Sequence, residues 1–263
     1  MTSAPHTPGR TLVPRDTLGL ALLAAFGLAL LADLGSLAVD AETGHRVAKP
    51  LLMPLLAAYT LIRGGPRLLA VALLLGWGGD VLLLLDAEWA FLASMGSFAL
   101  GHVCYLTLFG RCRTPKPLPP VYGTALALAV VLLWADLPAD LRIPVAGYAL
   151  LLTAMAWRSS GVGRVAGVGG ALFLASDLII ATEVAAWPQP PVADLWIMLL
   201  YGVGQLLLTL GLLNRADAAR TAGTGAGLPA GPAAPVSGTP VSGTPVSGTP
   251  VSGAAGPGST GPE

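Results

Sequence analysis

The hydrophobic pattern of this chain consists of eight long apolar runs separated by short polar stretches. The runs are rich in Leu, Ala, Val and Gly, and most charged side chains fall between them. Because a backbone in lipid must satisfy its own hydrogen bonds, runs of this kind predict membrane-spanning helices. The predicted helices cover Thr17–Ala38, Val47–Ile62, Pro66–Leu85, Trp89–Gly110, Val121–Ala135, Ile143–Trp157, Val165–Ala185 and Ala193–Leu213.

The same pattern divides the chain into three parts. Residues 1–16 form a short N-terminal tail, and residues 17–213 hold the eight helices. Gly, Ala, Pro, Ser and Thr dominate residues 214–263, where the string Pro-Val-Ser-Gly-Thr repeats from Pro235. Such a segment cannot bury an apolar core, so we predict that it is disordered. The predicted fold class is therefore an all-α polytopic membrane bundle with a disordered C-terminal tail.

Composition and charge exclude several classes of protein. Of the 263 residues, 54% are apolar and 11% are charged, whereas soluble domains carry roughly 25% charged residues. The net charge is zero and no basic stripe indicates nucleic-acid binding. The two cysteines do not suggest a disulfide framework, and the three histidines are scattered without metal-ligand spacing. We therefore expect no metal and no cofactor.

Basic residues predict the orientation of the bundle in the membrane. With eight spans, Arg46, Lys49 and Arg142 fall on one side, and the other eleven of the fourteen Lys and Arg residues fall opposite. The excess of basic residues marks the cytoplasmic side. We therefore expect a cell-membrane protein with a cytoplasmic C-terminus, and with a cytoplasmic N-terminus if there are eight spans. The split would be the same if the second run did not cross, so charge leaves seven and eight spans open.

The two halves of the helical region resemble each other around two aspartates. Arg67 precedes Asp80 by 13 residues, and Arg164 precedes Asp177 by 13 residues. Apolar matches between Leu-rich and Ala-rich sequences mean little, but matched ionisable positions are rare. The spacing therefore predicts an internal duplication of four helices each.

The fourth and eighth runs extend this correspondence. Phe98 and His102 match Tyr201 and Gln205 by position. Four helices per repeat is an even number, so both halves run in the same direction through the membrane, as in other parallel repeats. Equivalent residues then lie at equal depth. A 4+4 bundle would therefore bring the two aspartates to one level within the hydrocarbon layer.

Asp80 and Asp177 are the leading candidates for a functional site. A carboxylate in hydrocarbon costs several kcal/mol, so an intramembrane acid is a functional candidate by default. Small neighbours such as Gly79 and Ser176 would let another backbone or a ligand approach closely. Two carboxyls sharing a proton suit general acid and base catalysis. The alternative interpretation is that each aspartate caps or bonds a neighbouring helix. Asp33, near the end of the first run, is interpreted as interfacial.

Other polar residues in the runs are candidates for substrate contacts. His102 and Tyr105 lie on an aromatic face of the fourth run, a pattern equally typical of packing. Tyr201 and Gln205 share one face of the eighth run. Lys49 precedes a proline that would occupy the first helical turn. Its ammonium would either hold a lipid phosphate or extend to the membrane surface.

Together these residues resemble the YhhN family of lysoplasmalogenase-like membrane proteins. The resemblance covers Thr17 to about Leu213, and it implies an eight-helix fold and hydrolysis of the vinyl ether bond of a lysophospholipid. The products would be a fatty aldehyde and a glycerophospho-alcohol. The similarity rests on Lys49-Pro50, Gly79-Asp80, Gly96, Phe98, His102, Tyr105, Ser176-Asp177, Tyr201 and Gln205.

The resemblance also implies roles for individual residues. Asp80 and Asp177 match the catalytic aspartate pair of the family. The expected substrate-binding residues are Lys49, His102, Tyr105, Ser176, Tyr201 and Gln205.

Three positions depart from the family pattern, and one other class of function remains open. Trp77 precedes the first aspartate motif where smaller residues are usual, and Gly202 and Gly204 stand where bulkier residues are common. We expect these changes to reshape the substrate pocket. Parallel repeats with intramembrane acids also suit a transporter or exporter of a lipid or small amphiphile. A purely structural role gives no reason to hold two acids in lipid.

Overall fold

The computed structural model describes residues 15–85 and 87–225, and these residues form eight α-helices and no strand. Each predicted run corresponds to one helix, so the all-α prediction is confirmed. The helices are α1 (Arg15–Ala38), α2 (Glu42–Ile62), α3 (Arg67–Leu83), α4 (Glu88–Phe109), α5 (Leu118–Leu133), α6 (Arg142–Ser159), α7 (Arg164–Val184) and α8 (Ala193–Gly225).

Four of the helices are long and apolar enough to cross a membrane, namely α1, α4, α7 and α8. The chain is therefore a multi-pass membrane protein. Helix α5 has 16 residues and α3 has 17, which at 1.5 Å per residue is about 24–26 Å against a hydrocarbon core of roughly 30 Å. The eight-span topology therefore stays a prediction.

Helix α2 begins five residues earlier than its apolar run. Its first two turns contain Glu42, His45 and Arg46, and these polar residues conceal the start of the helix from a hydropathy pattern. The prediction that Pro50 lies in the first turn is therefore wrong, because Pro50 and Pro54 are both inside the helix. Each proline leaves the carbonyl four residues earlier without its helical donor.

Helix α8 also continues beyond its apolar run, so the predicted start of the disordered tail is wrong. The last three turns, which end at Gly225, are helical. Asp217 in this extension lies 3.5 Å from the guanidinium of Arg63 at the end of α2, which ties the extension to the bundle. Residues 1–14 and 226–263, which hold most of both predicted tails, lie outside the described residues.

Two helical hairpins pack through close crossings at corresponding positions. A Cβ atom at Gly204 of α8 would lie 3.0 Å from the Gly169 carbonyl oxygen of α7. A Cβ atom at Gly101 of α4 would lie 3.2 Å from the Ala72 carbonyl oxygen of α3. The spacings that relate these pairs are the same as those that relate the two aspartates and the matched positions of α4 and α8. Both hairpins therefore approach in the same manner.

Candidate active site

The two aspartates line one cavity of about 100 Å³ between α3, α4, α6, α7 and α8. Asp80 comes from α3 and Asp177 from α7, and most of the remaining wall is apolar. Lys49, Ser176 and Tyr201 also line the cavity. Within the described residues, no three His, Cys, Asp or Glu side chains are grouped as metal ligands. The structure thus brings together two carboxyls that are 97 positions apart in the sequence.

Asp80 is held by a chain of hydrogen bonds that joins the two halves of the bundle. Its side chain is buried, and it accepts a hydrogen bond of 2.7 Å from the Tyr201 hydroxyl. The amide of Gln205 lies next to the same tyrosine. Gln205 Oε1 in turn accepts a hydrogen bond of 2.6 Å from Tyr105. These contacts fix the orientation of the Asp80 carboxyl.

Asp177 is held by a different tyrosine, one that the sequence pattern did not predict. Tyr148 of α6 donates to Asp177 at 2.5 Å, and His102 Nε2 lies 3.2 Å from the Tyr148 oxygen. When the hydroxyl hydrogen is donated to Asp177, the histidine must donate from Nε2, because a tyrosine hydroxyl has a single hydrogen. The one available signal was that Tyr148 is the only tyrosine in the sixth apolar run.

The small residues before each aspartate allow close packing between helices. A Cβ atom at Gly79 would lie 2.5 Å from the Phe98 ring, so the glycine makes room for that ring. Ser176 donates a hydrogen bond of 2.9 Å to the Ile197 carbonyl of α8. Phe98 and Tyr201 each meet Phe173 edge to face, and this aromatic cluster packs beside the cavity. The small residues therefore allow neighbouring helices, rather than a ligand, to approach the two aspartate motifs.

Three of the predicted substrate-binding residues lie behind the cavity wall. His102, Tyr105 and Gln205 are buried, and each is bonded to another residue of the site instead of lining the cavity. His102 and Gln205 lie one helical turn beyond Phe98 and Tyr201, which do line it. A helical periodicity predicts the face of a residue, but it does not predict how far along the helix the cavity reaches.

A wider polar vestibule of about 620 Å³ lies next to the cavity at one end of the bundle. Lys49 lies at the junction of the two spaces, because it lines both. Its ammonium interacts electrostatically with the Asp80 carboxyl. The vestibule wall carries basic and acidic groups, among them His45, Arg46, Glu183 and Asp194. The vestibule therefore provides a polar space beside the cavity of the two aspartates.

Several residues singled out in the sequence lie away from the cavity. Asp33 is fully buried near the end of α1, and its carboxyl lies 2.8 Å from His45 Nδ1. Trp77, Gly202 and Gly204 are not among the residues that line the cavity. Trp77 is 38% exposed, and the two glycines pack against α1 and α7. The two glycines therefore serve helix packing.

The family of the chain follows from its match to known proteins. Residues 44–212, which hold both aspartates, match the YhhN family. This chain belongs to the YhhN family. The resemblance found in the sequence is thereby confirmed.

The chain is similar to three mammalian proteins named lysoplasmalogenase TMEM86B. It is 38% identical to the protein of Homo sapiens over 155 residues, which are 57% of this chain and 66% of that protein. For Rattus norvegicus the identity is 34% over 172 residues, 63% of this chain and 71% of that protein. For Sus scrofa it is 37% over 126 residues, 46% of this chain and 53% of that protein. The chain thus spans slightly less than two thirds of the human protein and about half of the pig protein. No solved structure matches the chain.

Proposed function

We propose that this protein is an intramembrane hydrolase of the lysoplasmalogenase type. It cleaves the vinyl ether bond of a lysophospholipid and releases a fatty aldehyde and a glycerophospho-alcohol. The observation that carries this proposal is the placement of Asp80 and Asp177 on one cavity between apolar helices, each held by a tyrosine hydroxyl. The names of the similar mammalian proteins supply the reaction.

The reaction needs one protonated and one ionised carboxyl. The protonated carboxyl gives its proton to the β-carbon of the vinyl ether, and the π electrons form the new C–H bond. The resulting oxocarbenium carbon takes up water, which loses a proton to the ionised carboxyl. In the collapse of the hemiacetal, the ether C–O bond breaks and the glycerol oxygen receives that proton. The hemiacetal hydroxyl returns a proton to the first carboxyl, so both groups are reset.

The surroundings of the aspartates fit such a reaction. Tyr148 and Tyr201 orient the two carboxyls, which reduces the reorganisation needed during catalysis. Lys49 lies at the vestibule junction, where its ammonium is placed to bind the phosphate of the head group. His102, Tyr105, Ser176 and Gln205 act as positioning residues, because they contact the tyrosines or join the helices around the cavity.

The topology of the proposed enzyme follows from charge and from the matched hairpins. We propose eight spans in the cell membrane, arranged as two parallel repeats of four, with both termini in the cytoplasm. The corresponding crossings at Gly101 and Gly204 support the repeat. The excess of basic residues at the opposite end of the bundle from the vestibule supports the orientation.

The second candidate is a transporter of a lipid or small amphiphile. The specific observation in its favour is that a polar vestibule borders the cavity that holds the acid pair, with Lys49 lining both spaces. Purified protein in proteoliposomes distinguishes the two functions. The enzyme releases aldehyde from a vinyl ether lysolipid, whereas a transporter moves the intact lipid across the bilayer without product.

The decisive experiment compares Asp80→Asn and Asp177→Asn with the control Asp136→Asn. Asp136 is exposed and lies outside the cavity. We expect each of the first two changes to lower aldehyde release about a hundredfold or more, the usual size of a general acid or base contribution. The control should retain wild-type turnover. Matched lysolipids with a saturated ether should give no aldehyde. Full turnover in both Asp80→Asn and Asp177→Asn would refute the assignment.

A further inference from the structure

An apolar groove of about 110 Å³ along α5, α6 and α7 lies beside the cavity of the two aspartates. Val145, Tyr148, Asp177 and Ala181 line both spaces, so the groove and the cavity meet at Asp177. Most of its other lining residues are Ala, Leu or Val. Leu178, which also lines the groove, is 46% exposed, so this part of the groove lies at the outer side of the bundle.

The groove exists because α5 packs loosely. Leu133 is the single buried residue of this helix, and α5 touches α6 and α7. Small residues at the facing positions, including Ala129 on α5 and Ala149 on α6, keep the two helices apart without filling the space. A side opening that leads to a catalytic carboxyl is what a substrate needs if part of it remains in lipid.

The dimensions of the groove fit one hydrocarbon chain. Its wall follows α6 from Arg142 to Thr153, which is about 16 Å at 1.5 Å per residue. That distance is close to half of a hydrocarbon layer roughly 30 Å thick. A chain anchored at one membrane surface occupies about this depth. The vestibule and the groove therefore provide a polar and an apolar compartment on the two sides of the aspartates.

We propose that the groove holds the alkenyl chain of the lysolipid while the head group occupies the vestibule. This inference rests on the proposed hydrolase function. A chain already in lipid gains little from a second apolar environment, so the groove acts sterically. It lets the vinyl ether reach the carboxyls while the rest of the chain stays in hydrocarbon.

This placement distinguishes the two aspartates. Of the pair, only Asp177 lines the groove, whereas Asp80 lines the cavity together with Lys49 at the vestibule junction. The β-carbon of a vinyl ether lies on the chain side of the bond and the ether oxygen on the head-group side. Asp177 therefore protonates the β-carbon. Asp80 takes the proton from water that arrives through the vestibule and adds to the α-carbon.

The test is to block the groove and compare substrates of different chain length. Ala129→Trp fills the groove, and Ala127→Trp adds the same side chain to an exposed position of α5 outside it. We expect Ala129→Trp to lower kcat/KM for a long-chain vinyl ether lysolipid at least about tenfold. Turnover of a water-soluble analogue with a two-carbon alkenyl group should be unchanged. Ala127→Trp should leave both substrates unaffected. Equal losses on both substrates, or no loss, would overturn the proposal.

A binding measurement separates this inference from the proposed function. The probe is a saturated ether lysolipid with a diazirine at the end of its chain, which cannot be hydrolysed. We expect light-induced labelling of peptides from α5 and α6, reduced by Ala129→Trp and by excess unlabelled lysolipid. If α5 and α6 are labelled in this way but no vinyl ether releases aldehyde, the groove binds a lipid chain and the proposed hydrolase function is wrong. Labelling spread over all lipid-facing helices would reject the groove.

Discussion

The two halves of the bundle are alike where the aspartates lie and different at their first helices. The hairpins α3–α4 and α7–α8 cross at matched small residues and present their carboxyls to one cavity. Helix α1 packs along α2, touches α8, and buries Phe26, Leu30 and Asp33. Helix α5, its counterpart by position, buries only Leu133. The common part therefore carries the two aspartates, and the divergent part leaves one side of the bundle loosely packed.

A pair of matched aspartates shows the same divergence. An Ala-Asp-Leu string closes the first run at Asp33 and the fifth run at Asp136. Asp33 is fully buried and bonded to His45. Asp136 is exposed and accepts a hydrogen bond of 2.8 Å from Trp187 Nε1. We call these two contacts the corners of the bundle. The corner of the first half is a buried polar pair, whereas the corner of the second half is an exposed contact.

The largest expected effect tests the common part. Gly204→Leu would place a Cβ atom 3.0 Å from the Gly169 oxygen and 3.1 Å from the Phe173 nitrogen, both backbone atoms of α7. Because neither backbone atom can turn aside, we expect a loss of about 3 kcal/mol in the free energy of unfolding. The measurement is an unfolding titration in detergent micelles.

The matched control for this change is Gly96→Leu in α4. No heavy atom lies within 4 Å of a Cβ atom there, so we expect the stability of the variant to equal that of the wild type. Gly101→Ala, at the corresponding crossing of α3 and α4, should fall between the two. If Gly204→Leu were as stable as Gly96→Leu, the crossing would not hold the second half together.

The next largest effect is a difference in stability loss between changes at the two corners. Within the described residues, His45 is the only hydrogen-bond partner of the Asp33 side chain, and the Oδ2 atom of Asp33 has no partner. The change His45→Leu removes this contact. A buried carboxyl without a partner should cost about 2 kcal/mol in the free energy of unfolding. Trp187→Phe at the exposed corner should cost about 0.5 kcal/mol or less.

A double variant identifies the cause. His45→Leu combined with Asp33→Leu should recover most of the lost stability, because both polar partners are then replaced by apolar groups. Equal losses from His45→Leu and Trp187→Phe would remove the distinction between the two corners.

The sequence predicts the eight helices and the juxtaposition of the aspartates well, because long apolar runs and matched ionisable residues are strong signals. It predicts helix ends poorly where polar residues belong to the helix, as at Glu42. It misses Tyr148, since a single tyrosine in an apolar run gives no direction. It also misses the contact between Asp33 and His45. His45 comes from the next helix, and a pattern along one helix does not show contacts with another.

The smallest effect concerns the aspartates themselves. Tyr148→Phe and Tyr201→Phe each remove a hydrogen bond to a carboxyl without changing the ring. Such a hydrogen bond contributes about 1 kcal/mol when the carboxyl is protonated and roughly 1.5 kcal/mol or more when it is ionised, so we expect kcat to fall about five- to tenfold in each variant with little change in KM. Tyr122→Phe, in α5 and outside the cavity, is the control and should be fully active. A higher KM with unchanged kcat would mean that the tyrosines contact the lipid. A fall in kcat means that they position the two acids, one from each half.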